Sequence, residues 1–207
     1  LEFVSDFDIR TSCFVIVSSP FSPYNGGMKV VSVVGMTGSG KSEVARFFNF
    51  KGFTTVRFGD ITDEAVKAKG LPLTEENERP VREGLRKEHG MAAYAKLSIP
   101  RIDTALQNSN VVVDGLYSWE EYLVLKEKYG NQFYVVAVWS SPADRYKRLG
   151  GRKIRPLTPE QAASRDRAEI ENMNKGGPIC MADFTILNDA DTGALRKHVE
   201  QIVARLK

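Results

Sequence analysis

Eight consecutive residues, Gly35-Met36-Thr37-Gly38-Ser39-Gly40-Lys41-Ser42, fill every position of the pattern G-x-x-x-x-G-K-[ST]. The chemistry that such a spacing serves is phosphate binding. The glycines let the backbone curl so that successive N–H groups point at phosphate oxygens, and the helix that follows adds positive potential. Lys41 then reaches the β and γ phosphates as a point charge, and the Ser42 hydroxyl is placed for Mg2+. A glycine-rich turn joining strand to helix is the competing reading. The complete motif, directly after a strand pattern and opening a helix pattern, favours the phosphate site.

Acids and arginines elsewhere can complete that chemistry. Asp114 ends the run Val111-Val112-Val113 and precedes Gly115. At the carboxyl end of a strand it is expected to face the Mg2+ shell as a Walker-B-type acid; a helix N-cap is the alternative. Gly59-Asp60 closes an earlier strand pattern on the same edge. Asp60 is suited to orient an acceptor hydroxyl or phosphate, or to accept its proton, with an N-cap again the alternative.

The window from Asp144 to Arg155 holds six basic residues and one acid around the pair Gly150-Gly151. Arg145, Arg148, Arg152 and Arg155 in that window suit a hinged flap that closes over phosphates and neutralises developing charge. A solvated helix end is the competing reading. Arg79, Arg82 and Arg86 share one helical stripe, where guanidiniums can hold an anionic acceptor, although most charged stripes are merely solvated. Lys41, Asp60 and the four window arginines are thus the expected catalytic set. Ser42 and Asp114 are the metal set, and Asp60, Arg82 and Arg86 the acceptor set. Trp119, Tyr122, Trp139 and Tyr146 read as packing residues, with a cover over an adenine as the alternative for one of them, and His89 and His198 carry no role.

Positioning these groups requires alternating strands and helices. Val30–Val34 reads as a buried parallel strand, because its near-continuous apolar run leaves no wet face. A helix from the loop follows, closing near Gly52. Further strands are expected at Phe53–Phe58, Val111–Asp114, Phe133–Trp139 and Phe184–Leu187. Residues 61–108 read as helical, with breaks near Gly70-Leu71-Pro72, Gly90 and Pro100. Helices are expected around 119–129 and 142–149. Thr158-Pro159-Glu160-Gln161 is a capping box with proline at the first helical position. A terminal helix carries Leu195, Val199, Ile202, Val203 and Leu206 on one face. Strands separated by helices imply an α/β fold, a five-stranded parallel sheet covered on both faces.

Composition excludes several other classes. At 207 residues the chain suits one domain with a sizeable core. A net charge of +3 is too small for a general nucleic-acid or membrane-surface binder. Two cysteines, Cys13 and Cys180, form neither a disulfide framework nor a cysteine-based zinc site and point to a reducing compartment, the cytoplasm. No apolar run approaches the roughly 20 residues of a membrane helix. Residues 1–27 read as an extended or added leader before Met28, with an edge strand at 13–17 as the alternative.

From Met28 to Lys207 the chain resembles the nucleoside-monophosphate-kinase branch of P-loop proteins. More narrowly, it resembles archaeal-type kinases related to adenylate kinase and dephospho-CoA kinase. The resemblance is carried by the loop 35–42, Gly59-Asp60, Leu85-Arg86-Lys87-Glu88-His89-Gly90, Val113-Asp114-Gly115, Ser141-Pro142 with Arg145 and Arg148, Gly151-Arg152, and Arg165-Asp166. It implies an ATP- and Mg2+-dependent phosphotransferase: a parallel-sheet core, an acceptor-binding insertion at about 60–108 and an arginine lid at about 150–158. Related chains commonly read Asp-Gly-x-Arg-Ser where this one has Asp114-Gly115-Leu116-Tyr117-Ser118. Dephospho-CoA kinases carry an Asp-Ala-Asp-like element of which Phe58-Gly59-Asp60 matches only the last acid. The acceptor therefore stays open between a nucleoside monophosphate, dephospho-CoA and related molecules. Two other readings survive: an NTPase that uses water or acts as a switch, and a nucleotide-binding partner protein without turnover.

Overall fold

Four valines around Ser32 form β1 (Val30–Val34), and every one of its residues is buried. A strand without a wet face belongs in the middle of a parallel sheet. In the computed structural model, which describes residues 27–153, 156–189 and 191–206, that is where β1 lies. It pairs in parallel with β3 (Val111–Asp114) on one side and β4 (Phe133–Trp139) on the other. β2 (Thr54–Arg57) extends the sheet beyond β3, and β5 (Phe184–Leu187) extends it beyond β4. The order is β2-β3-β1-β4-β5.

Alternation along the strands divides the core. Val30, Val34, Val111, Val113 and Val135 pack against Tyr94 and Ile102 of α4 (Ala93–Ala105) and Leu125 of α5 (Trp119–Tyr129). Val31, Val33, Val112 and Val136 face the opposite layer, with Phe47 and Phe48 of α1 (Lys41–Phe50) and Val199 and Ile202 of α9 (Thr192–Arg205). Burying each such side chain stabilises the fold by about 1.5–3 kcal/mol, so the sheet's position is strongly determined. Successive strands lie to one side of β1 and then to the other. The chain therefore parts at the carboxyl end of β1, where open α/β sheets form their ligand crevice.

Three helices stand between β2 and β3: α2 (Gly59–Ala68), α3 (Glu75–His89) and α4. The expected breaks at Gly70-Leu71-Pro72 and Gly90 separate them, but Pro100 does not interrupt α4. Tyr94, Ala95 and Ile102 are buried on either side of Pro100, and its ring lies on the exposed face, where the carbonyl of Lys96 can turn to water. The second strand is shorter than expected. Phe53 packs on Phe48, with ring centroids 5.1 Å apart, and Phe58 becomes the N-cap of α2.

The second half follows as α6 (Pro142–Gly150), α7 (Pro159–Glu171) and the short α8 (Gly176–Cys180), the last of which no sequence pattern announces. Both halves of the expected capping box form between Thr158 and Gln161. Residues 1–26 lie outside the described residues, and with them all but Gly27 of the expected leader; so do Ile154 and Arg155 of the expected lid. No helix among the described residues is long and apolar enough to cross a membrane.

Candidate active site

The loop from Gly35 to Ser42 leaves β1 at the crevice and runs into α1. Two of its glycines are sterically required. A Cβ on Gly35 would lie 2.3 Å from the Val138 carbonyl oxygen, and one on Gly40 2.3 Å from Nδ2 of Asn188. Both have positive φ, 153° and 99°, where other residues are strained. Gly40 caps α1 without a side-chain acceptor, which leaves first-turn N–H groups for a ligand.

Arginines of α6 hold the outside of this loop. Arg145 is 4% exposed; it donates to the Thr37 carbonyl at 3.0 Å, to both oxygens of Asp166 at 2.7 and 2.6 Å, and to the Ser140 carbonyl at 3.2 Å. Arg148 donates to Ser140 Oγ at 3.1 Å and to the Asn188 carbonyl at 2.8 Å. Asn188 in turn donates Nδ2–H to the Ser39 carbonyl at 2.8 Å. Both arginines belonged to the expected catalytic set. Here Arg145 joins the loop at Thr37 to Asp166 of α7, and Arg148 joins the ends of β4 and β5, so both are engaged with the loop's surroundings.

Inside the loop, Lys41 donates to the Met36 carbonyl at 3.0 Å. Burial, and then the nearby Lys175 ammonium, lower its pKa to about 7, although Glu169 and Asp114 partly offset them. Asp114 ends β3 at this crevice, in register with Val33 of β1. Next to the loop, Glu169 of α7 accepts from the Thr37 N–H at 3.2 Å and from the Thr37 hydroxyl. Lys175 Nζ lies 2.9 Å from the same carboxylate, and Arg165 Nε 3.7 Å away. Burial alone would raise the Glu169 carboxyl, but Lys175, the Thr37 hydroxyl and Lys41 outweigh it and hold the pKa at about 2.

Glu169 also lines a second cavity of about 220 Å³, together with Arg57, Arg82, Arg86, Arg165 and Tyr117. Its walls come from β2, α2, α3, α4, the segment after β3, and α7 and its C-terminal turn. Two of its arginines are already neutralised: Arg57 by Asp60 and Asp63, each at 2.8 Å, and Arg82 by Glu75 and Glu78. Arg86 differs. Among the described residues it has no ion-paired carboxylate, its buried Nε has no hydrogen-bond partner, and its guanidinium lies 5.3 Å from the Tyr94 ring centroid. Nearby is Glu121, which burial pushes up to about 8 even though the Tyr117 and Ser118 amides and Arg86 favour its charged form.

The structure thus brings Lys41, Ser42 and Asp114 to one crevice and Arg82 and Arg86 to the cavity beside it. Asp60 lies elsewhere: α2 turns it toward Arg57 and an outer groove with Arg101 and Thr104, and Asp63 lines the cavity instead. Arg79 is also turned away, paired with Glu83 at 2.9 Å. Arg152 is exposed, with its pKa lowered by partial burial and the nearby Arg165. Glu169, Lys175, Arg57 and Tyr117 were not expected as site residues. The i, i+4 spacing of Arg165 and Glu169 on α7 was a usable signal. Lys175, in a run of Asn, Lys and Gly, offered none.

A loop of this kind at the centre of a parallel sheet defines a P-loop kinase-like α/β protein. Solved structures share the arrangement. A shikimate kinase from Bacteroides thetaiotaomicron covers 87% of this chain and 99% of its own, with TM-score 0.57 and 14% identity. A gluconokinase from Sinorhizobium meliloti covers 86% and 93%, with TM-score 0.55 and 17% identity; at such identities the likeness is one of fold. Residues 31–172 match the AAA_18 family, an AAA domain. A UPF0200 protein of Thermococcus kodakarensis is 36% identical over 185 residues, 86% of this chain and all of its own. Another, from Methanoculleus marisnigri, is 34% identical over 181 residues, 86% of this chain and 97% of its own. The chain belongs to the AAA_18 family and to the UPF0200 proteins.

Proposed function

We propose that the protein is an ATP-dependent phosphotransferase that passes the γ-phosphoryl group to a small, phosphate-bearing acceptor such as a nucleoside monophosphate. One observation carries this reading: the phosphate loop and an arginine-lined cavity share a wall at Glu169. Donor and acceptor bound on the two sides would meet there, and holding them in line supplies most of the catalysis such reactions need. Among the described residues Arg86 is the cavity arginine without an ion-paired carboxylate, and a phosphate would satisfy its Nε–H and complete a bidentate pair.

The carboxylates favour a phosphate nucleophile over an alcohol. Glu169 is held near pKa 2 and Asp63 is paired with Arg57, so neither suits the removal of a hydroxyl proton. A phosphate oxygen attacks without losing one.

Mg2+ fits the donor set at the loop. Ser42 opens α1, Asp114 ends β3, and the charge of Asp114 reaches Lys41. One hydroxyl and one carboxylate, completed by phosphate oxygens and water, is a set Mg2+ accepts. Bound there, it would neutralise charge on the β and γ oxygens. Lys41 would hold those same oxygens.

A coupled ADP-release assay over nucleoside monophosphates and dephospho-CoA tests the reading. ADP release that depends on a phosphate-bearing acceptor is expected. Release at the same rate without any acceptor would make the protein a hydrolase instead.

A further inference from the structure

Glu169 is surrounded almost wholly by donors: a loop N–H and hydroxyl from Thr37, the Lys175 ammonium at 2.9 Å and the Arg165 guanidinium at 3.7 Å. Lys41, the loop's own lysine, is within electrostatic reach of both Glu169 and Lys175. Carboxylate and ammonium are buried, 5% and 1% exposed. A buried pair rarely repays its desolvation as stability alone, and this one sits where the phosphate loop meets the acceptor cavity. The local fold forces Lys175 into place: its N–H donates to the Glu169 carbonyl at 3.3 Å, after Asn174 turns the chain with φ of 51°. Its ammonium lies 5.6 Å from the ring centroid of Tyr117, which lines the cavity.

We propose that the Glu169 carboxylate and the transferring phosphoryl group compete for one position, and that Lys175 is a second catalytic cation, shared with Lys41, on that group. The inference rests on the kinase reading and adds to it a residue outside the loop. A loop N–H, a hydroxyl and the Lys175 ammonium, with the Arg165 and Lys41 charges beside them, suit a tetrahedral anion, and a carboxylate satisfies them with two oxygens. During transfer the bond from the γ phosphorus to the bridging oxygen breaks, and its electron pair leaves with ADP. A bond forms to the acceptor's phosphate oxygen, and no proton has to move. Lys175 meets the charge on the non-bridging oxygens while Glu169, displaced, stays ionised beside Arg165.

Competition of this kind is specific to the terminal phosphate, so the ratio of ATP to ADP affinity reads it. That ratio is measured within each variant and is insensitive to a general loss of stability. Calorimetric titration with ATP and with ADP is made on the full chain, on Glu169→Gln, on Lys175→Met and on Lys175→Arg. Glu169→Gln is expected to raise the ratio roughly tenfold, the worth of one charge-assisted contact no longer competed for. Lys175→Met is expected to lower the ratio and to cut kcat on the acceptor found by the ADP-release screen by about 10²-fold, with Lys175→Arg recovering part of both. An unchanged ratio in Glu169→Gln, in a protein that binds both nucleotides and phosphorylates its acceptor, overturns this inference and leaves the kinase reading intact. Failure of the wild-type chain to bind either nucleotide overturns both.

Discussion

The phosphate loop and the cavity beside it, proposed here as donor and acceptor sites, are built on opposite plans. Around the loop, Arg145, Arg148, Asn188 and Asp166 are linked by contacts of 2.6–3.1 Å, and the glycines fit against backbone and side chain with no room to spare. In the cavity, side chains from six segments converge; Arg57, Arg82 and Arg165 are paired with carboxylates and Arg86 lacks an ion partner among the described residues. A rigid loop suits a ligand whose phosphates are always the same. A cavity assembled from separate helices suits specificity, since moving one helix changes the acceptor without disturbing the donor.

Substitutions can break that contrast, beginning with the buried anchor. Arg145→Ala removes a guanidinium from a nearly buried pair and leaves Asp166 uncompensated, which should cost about 3 kcal/mol or more. Thermal melting should record it, with ATP affinity falling alongside. Lys41→Ala leaves the framework standing; kcat should fall by at least about 10²-fold at a near-normal melting temperature. Arg86→Ala should act on the acceptor alone, raising its KM roughly tenfold and leaving ATP affinity and melting unchanged. Equal effects of Arg86→Ala on donor and acceptor would erase the distinction between the two regions.

A more gradual effect is one of pH. Lys41 has a pKa of about 7, lowered by burial and by Lys175. Bound phosphate stabilises its charged form and raises that value, so binding takes up a proton above pH 7. ATP affinity is therefore complete below pH 7 and falls as pH rises toward 9, by at most about tenfold per unit. Titrations at pH 6.5, 7.5 and 8.5 measure the slope, which Lys41→Met should abolish.

Local patterns disclosed the donor side. The loop needs eight consecutive residues, the valine run of β1 announces a central strand, and the box at Thr158 starts α7 where its residue types require. The acceptor side was legible only in part. Arg82 and Arg86 could be placed on a stripe, but which acid faces them depends on how α2 rotates, and that rotation gives the cavity Asp63 in place of Asp60. Lys175 was illegible because its burial comes from the turn after α7, which no periodic pattern marks. Arg145 and Arg148 show a further limit. A basic window gives the number of charges and not their direction, and Asp166, the partner that turns Arg145 inward, lies 21 residues away.

The fate of the γ-phosphoryl group tests the central claim most directly. ATP labelled at that position is mixed with excess enzyme, Mg2+ and the acceptor found by the ADP-release screen, and the products are separated after one turnover. Direct passage across the shared wall predicts label on the acceptor's phosphate, with inorganic phosphate only a trace. Label recovered solely as inorganic phosphate, at the same rate with acceptor and without, would contradict it.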